Sequence, residues 1–306
     1  MRIYGRRWNG LHLLSRLIGL RLGAVGLSMA ASVILLAVIG PFVTPYSPLQ
    51  FVGVPFQPPG AGLLLGADGL GRDVVSRTLA GGYKILSLSA LATLLGVLAG
   101  ALFGIAAGYF KGALDEVVMR LLDVAMAFPQ IILALLFISI AGPEAWLVTL
   151  MVAAIHAPQV ARVARAASLR MADADFVRYA ETTGASDWKI MTREILPNIV
   201  DPLMVELGLR FTYSIALIAG LSFLGFGQQP PNADWGLMIN ENRIGMAQNP
   251  WPVVVPVLLI AALTVGMNLF TDALARAALT FGDSGSAIEP SASIGTTVNT
   301  TLDAAG

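Results

Sequence analysis

The chain has 306 residues, of which 56% are hydrophobic and only 12% charged, and its formal net charge is zero. A soluble domain carries about 25% charged residues, so this apolar excess excludes an ordinary water-facing surface and points to an all-α, multi-span membrane protein. Zero net charge gives no electrostatic case for nucleic acid, the lack of cysteine excludes disulfide and thiol chemistry, and two distant histidines, His12 and His156, exclude a structural Cys/His metal site.

Arg2, Arg6, Arg7, Arg16 and Arg21 mark residues 1–21 as a cytoplasmic segment. Residues 22–43 are charge-free and long enough for a first span, longer than the core of a cleavable signal peptide. Pro41, Pro45, Pro48, Pro55, Pro58 and Pro59 predict an extended loop. It leads into LGADGLGRDVVSRTLAGG at 65–82, expected to be a polar surface loop entering a helix. There Asp68 and Asp73 can cap turns and pair with Arg72 and Arg77. Residues 85–110 form a second span, in which Gly96, Gly100, Gly104 and Gly108 make a stripe that lets another helix approach closely.

A polar link (Lys111, Asp115, Glu116, Arg120) precedes a third span at 121–140, with Pro129 inside it. A turn at 141–144 leads to a fourth span at 145–161, where His156 lies about a turn from the next charged stretch and is expected to pack at the interface. That stretch, 162–200, is the long charged segment in the middle of the chain. It reads as two short helices around Gly184, which can turn left-handed without a Cβ penalty. Ala174, Val177 and Ala180 share a face of the first helix, which runs to about Thr183. Ser186 or Asp187 can cap the second, where Trp188, Met191 and Ile195 share a side and Pro197 ends it.

Residues 203–226 are a fifth span, with Glu206 and Arg210 paired near its loop end, where arginine can reach the interface. The polar segment 228–252 places Trp235 and Trp251 as interfacial anchors before a sixth span at 253–271. Residues 282–306 have the composition of a disordered tail, and Asn299-Thr300-Thr301 there is a weak glycosylation match.

Basic residues concentrate at the N-terminus, at Lys111 and Arg120, in 162–200 and at Arg276, against Arg72, Arg77 and Arg243 on the other side. Both termini and the charged hairpin are therefore cytoplasmic, and membrane lipid surrounds the spans. No phosphate-cradling Gly-Lys-Ser/Thr loop and no catalytic set is visible, so no cofactor and no enzyme activity are expected. Few charges inside the spans weaken an ion-coupled mechanism. An ATP-independent secondary transporter or channel subunit, and a structural membrane subunit, remain alternatives on the residues alone.

Six ordered blocks carry a resemblance. They are LGADGLGRDVVSR (65–77), RLLDVAMAFP (120–129), ARVARAASL (161–169), FVRYAETTGASDWKIMTREILPN (176–198), LSFLGFGQQPPNADWG (221–236) and NLFTDALARA (268–277). Over residues 22–282 the chain resembles the second permease subunit of dipeptide, oligopeptide or nickel ABC importers. The resemblance implies a type I importer permease fold in the inner membrane and import of a peptide or a related small solute. It also implies a second homologous permease, two cytoplasmic ATPase subunits and an extracytoplasmic substrate-binding protein. In that family 162–200 is the EAA loop, which seats on an ATPase. The positions so implied are Arg178, Ala180, Glu181, Gly184, Ala185, Ser186, Asp187, Leu196 and Pro197. The chain departs from the pattern at Arg178, where the family has glutamate, with Glu181 three residues on, and at Ala157, where tryptophan is common.

Overall fold

The computed structural model describes residues 21–60 and 62–283. They are helical, with isolated β-bridges such as Phe51–Arg72 the only extended pairing among them. The helices are α1 (Arg21–Ile39), α2 (Val74–Phe110), α3 (Gly112–Ala127), α4 (Gln130–Ala141), α5 (Ala145–Ala172), α6 (Asp175–Thr182), α7 (Asp187–Lys189), α8 (Val200–Phe223), α9 (Trp235–Asn242) and α10 (Trp251–Asp283). All of the expected N-terminal segment but Arg21, which starts α1, and almost all of the expected C-terminal tail lie outside the described residues, as does His12. Five helices, α1, α2, α5, α8 and α10, are long and apolar enough to cross a membrane.

The sixth span is broken. Helices α3 and α4 meet at 84°, so the straight third span expected at 121–140 is corrected to a bent pair. Phe128 has extended backbone (φ −87°, ψ 138°) because the ring of the following Pro129 disfavours the helical region for its predecessor. The 12 residues of α4 rise about 18 Å, short of a hydrocarbon core of about 30 Å. Helix α3 instead turns its acids to the cytoplasmic extension of α5: Asp115 pairs with Arg165, and Asp123 with Arg162.

Two tight helix pairs form the frame. Along α2 the glycine stripe meets α5 backbone to backbone. A Cβ on Gly100 would lie 2.5 Å from the Ala157 carbonyl oxygen, and one on Gly104 2.3 Å from that of Ala161. Ala157, which stands where the family commonly has tryptophan, is buried, and its carbonyl is part of this contact. Helices α1 and α10 cross as closely, at Gly26 and Gly266. Helix α8 wedges between the pairs and shares a hydrogen bond, Thr93 Oγ1 with Ser214 Oγ at 2.9 Å, with α2.

The interior divides along the membrane normal. One core, nearer the outer face, gathers Val33, Ile85, Ile138, Val152, Ile215, Trp235 and Leu263. The other, nearer the cytoplasm, gathers Val97, Ile105, Val160, Val177, Ile190, Ile195 and Leu203.

The outer loops fold into a cap, which overturns two expectations. The segment 65–82 is buried rather than a surface loop. Asp68, Arg72, Asp73 and Arg77 are each at most 3% exposed. Arg72 Nε reaches Asp68 Oδ2 at 2.7 Å and its Nη2 reaches Glu241 Oε2 at 3.0 Å, while Arg77 approaches the same two oxygens at 3.3 and 2.9 Å. Asp73 caps α2, accepting from the backbone N–H of Ser76 at 2.8 Å, and so starts the second span helix eleven residues before Ile85. Asn249 donates to the carbonyls of Gln57, Leu65 and Ala67, at 3.1, 3.0 and 3.0 Å. Trp235 is not an interfacial anchor: it is fully buried against Gly81, Gly82 and Ala37, with its indole N–H on the Thr78 carbonyl at 2.8 Å. Trp251, at the start of α10, stays half exposed.

Candidate coupling site

The hairpin expected at 162–200 begins as a continuation of the fourth span. Helix α5 is unbroken for 28 residues, through Pro158 and past Arg170. Its first break is therefore at Asp173–Ala174, and the first hairpin helix is the separate α6 rather than a run from 163. His156 is buried inside the α2–α5 contact, not at the interface; a Cβ on Gly96 would lie 3.1 Å from its own Cβ.

Lys111, one residue past the end of α2, holds Asp173 at that break, with Nζ 2.8 Å from Oδ1. The hydrogen bond from Lys111 keeps the Asp173 carboxyl below its ordinary range. Val177 and Ala180 then turn inward and are buried, whereas Phe176, Arg178, Tyr179 and Glu181 are exposed.

The turn after α6 is a Schellman motif. The Ala185 N–H bonds the Ala180 carbonyl at 3.0 Å and the Gly184 N–H bonds that of Glu181 at 3.0 Å. Gly184 takes φ +77°, and a Cβ there would meet nothing within 4 Å. Its role is conformational, not steric. Ser186 follows with extended backbone at the cap position of α7, although its side chain makes no cap hydrogen bond. Asp187 accepts from the Tyr109 hydroxyl at 3.1 Å, which ties the second half of the hairpin to the end of α2.

From Ile190 to Ile195 the helix widens to a π-helical turn, and Leu196–Asn198 tighten to a 3-10 turn that runs almost directly into α8. Ile190, Met191 and Ile195 are buried against α2 and α5. Trp188 does not share that side, as the spacing suggested; it is 61% exposed, and with Lys189, Thr192 and Arg193 it lines a shallow depression. Tyr179 is 71% exposed. The hairpin thus has an apolar inner face locked to the spans and an outer face of two aromatic rings among Arg178, Lys189 and Arg193. Ala185 and Leu196 are half-buried, and Pro197 is exposed.

Residues 100–279, which contain this hairpin, match the family model of the binding-protein-dependent transport system inner membrane component. The chain belongs to this family. The permease is 32% identical over 257 residues to the dipeptide transport system permease protein DppC of Haemophilus influenzae, covering 82% of this chain and 87% of that one. It is 39% identical over 210 residues to the glutathione transport system permease protein GsiD of Pectobacterium atrosepticum, covering 69% and 70%. A protein of Brucella suis biovar 1, provisionally named as a peptide transport system permease, is 37% identical over 260 residues, covering 85% and 88%. The permease is accordingly an inner-membrane component of an ABC importer.

Sequence reasoning missed Tyr109 and Lys111 as ties to the hairpin. Both stand at the end of a span, where a polar residue signals a boundary but not a partner 62 or 78 positions away.

Proposed function

We propose that the outer face of 175–198 is where a cytoplasmic ATPase docks, and that the permease carries short peptides when ATP closes a pair of such ATPases. It works with a second, homologous permease and an extracytoplasmic binding protein, and it hydrolyses nothing itself. The observation that carries this reading is the exposure of Tyr179 and Trp188, at 71% and 61%, on an element whose inner face is fastened to α2 and α5. Large aromatic rings held in water beside basic residues are typical anchors of a protein interface. Arg178 is the charge presented at the position of the family's glutamate, while Glu181 stands beside the Tyr109 hydroxyl. The substrate class rests on the peptide and glutathione permeases to which the chain is similar.

Co-purification of the permease with its ATPase subunits in mild detergent tests the docking. Tyr179→Ala combined with Trp188→Ala should lower ATPase retention at least tenfold, a loss on the order of one interface hot spot. Full retention by this variant, or uptake into proteoliposomes that proceeds without ATP, sinks the reading.

A further inference from the structure

Helix α8 carries Glu206 and Arg210 inside an apolar span. Arg210 lies ten residues into the helix, about 15 Å along it from Val200, two to three turns into the span. Its Nε donates to Glu206 Oε2 at 2.9 Å, and its Nη1 donates to Gln159 Oε1 on α5. The guanidinium carbon is 5.3 Å from the centroid of the Tyr213 ring. Arg210 therefore turns inward to α5 rather than reaching for the interface as its position in the sequence suggested.

The cluster is not sealed. Arg210 and Glu206 side chains keep 13% and 11% exposure, and Tyr213 is 58% exposed. Further along the same flank, Ala216 is exposed, and a Cβ on Gly220 would meet nothing within 4 Å. Behind the cluster, His156 is buried with neither ring nitrogen hydrogen-bonded. Charges within an apolar span are costly against acyl chains, so this flank faces water or protein.

We propose that Arg210, Glu206 and Tyr213 form a station within the span for the two charged ends of a zwitterionic substrate, with Arg210 taking a peptide carboxylate and Glu206 its ammonium. The proposal rests on the reading of the chain as a peptide permease. The chemistry is a pair exchange. In the empty path the two residues neutralise each other; with a zwitterion present each trades its partner for one of opposite sign on the substrate, and the buried charge stays balanced. Gln159 and the Tyr213 ring hold the guanidinium in place while Glu206 lets go. Because the resting pair re-forms when the substrate leaves, binding is weak enough for passage.

The test uses the assembled importer with its binding protein in proteoliposomes and radiolabelled dialanine as probe. Wild-type assembly should take up dialanine only with ATP; no uptake overturns the peptide reading and the station with it. Given wild-type uptake, the double variant Glu206→Gln with Arg210→Gln should lower dialanine uptake per ATP hydrolysed at least tenfold, at an unchanged melting temperature. Unchanged uptake per ATP overturns the station alone. A wild-type measurement decides the matter if the variant fails to assemble. Alanyl-benzoylphenylalanine, irradiated during turnover, should form adducts within residues 209–216, and adducts confined to other segments overturn the proposal.

Discussion

The cap and the coupling hairpin are the two ends of the permease that stand outside the hydrocarbon core, and they are fastened in opposite ways. The hairpin is held by apolar contact: Val177, Ala180, Ile190, Met191 and Ile195 press on α2 and α5, and its polar ties are few and exposed. The cap is held by directional bonds among buried charges, with Asp68, Arg72, Arg77 and Glu241 sharing two acceptor oxygens and Asn249 bonding three carbonyls. Apolar contact is non-directional and tolerates small sliding, whereas buried ion pairs lose most of their energy when geometry shifts. The hairpin can thus settle by small shifts while staying packed on α2 and α5, and the cap keeps its shape.

Removing a cap charge should give the largest effect. Arg77→Ala leaves Asp68 and Glu241 with one guanidinium between them, and breaking a buried pair costs about 3–5 kcal/mol. Thermal unfolding of the purified assembly measures it; a midpoint equal to wild type would mean that the cap is not held by these charges. A smaller loss is expected at the hairpin turn. Gly184→Ala meets no atom, so only the left-handed backbone is penalised, by about 1–2 kcal/mol. Gly184→Asn should lose less, since asparagine tolerates that region. A larger loss for asparagine than for alanine would show that space, not conformation, matters there.

The smallest effect sharpens the contrast within the cap. Asp234 caps α9, its Oδ1 accepting from the Leu237 N–H at 3.0 Å, yet Oδ2 has no hydrogen-bond partner and the side chain is fully buried. Burial pushes its carboxyl up, partly offset by the bond from Leu237. With the folded value above the unfolded one, its contribution to stability is complete below the unfolded value and lost as pH rises through the folded one. Asp234→Asn keeps the cap and removes the charge, so the pH dependence should flatten, with stability at pH 8 equal to or slightly above wild type. A steeper fall with pH in the variant would contradict this.

The spans and the hairpin were legible in the sequence because each leaves a local signature: apolar runs, a glycine every fourth residue, a glycine between two charged helices. The bend at Phe128 was half legible. The proline rule marks the place but not the angle, and the partners of the acids on α3, Arg162 and Arg165, lie on another helix. The cap was not legible. Asp68 and Arg72 read as a surface turn, since their burial depends on Glu241, 169 residues from Arg72. Trp235 misled for the same reason: an indole among polar residues at a span end is one pattern for two fates, and Gly81 and Gly82, which make room for it, lie in another helix.

Helix α2 begins in the cap's ion network and ends at Tyr109 and Lys111, beside the hairpin. Its 37 residues form one uninterrupted rod of about 55 Å. A beam of that length pivoting at its cytoplasmic end has leverage: each degree of tilt sweeps the far end sideways by about 1 Å. Rotations too small to register at the hairpin itself become displacements of atomic size at the outer face, with no joint in between to absorb them.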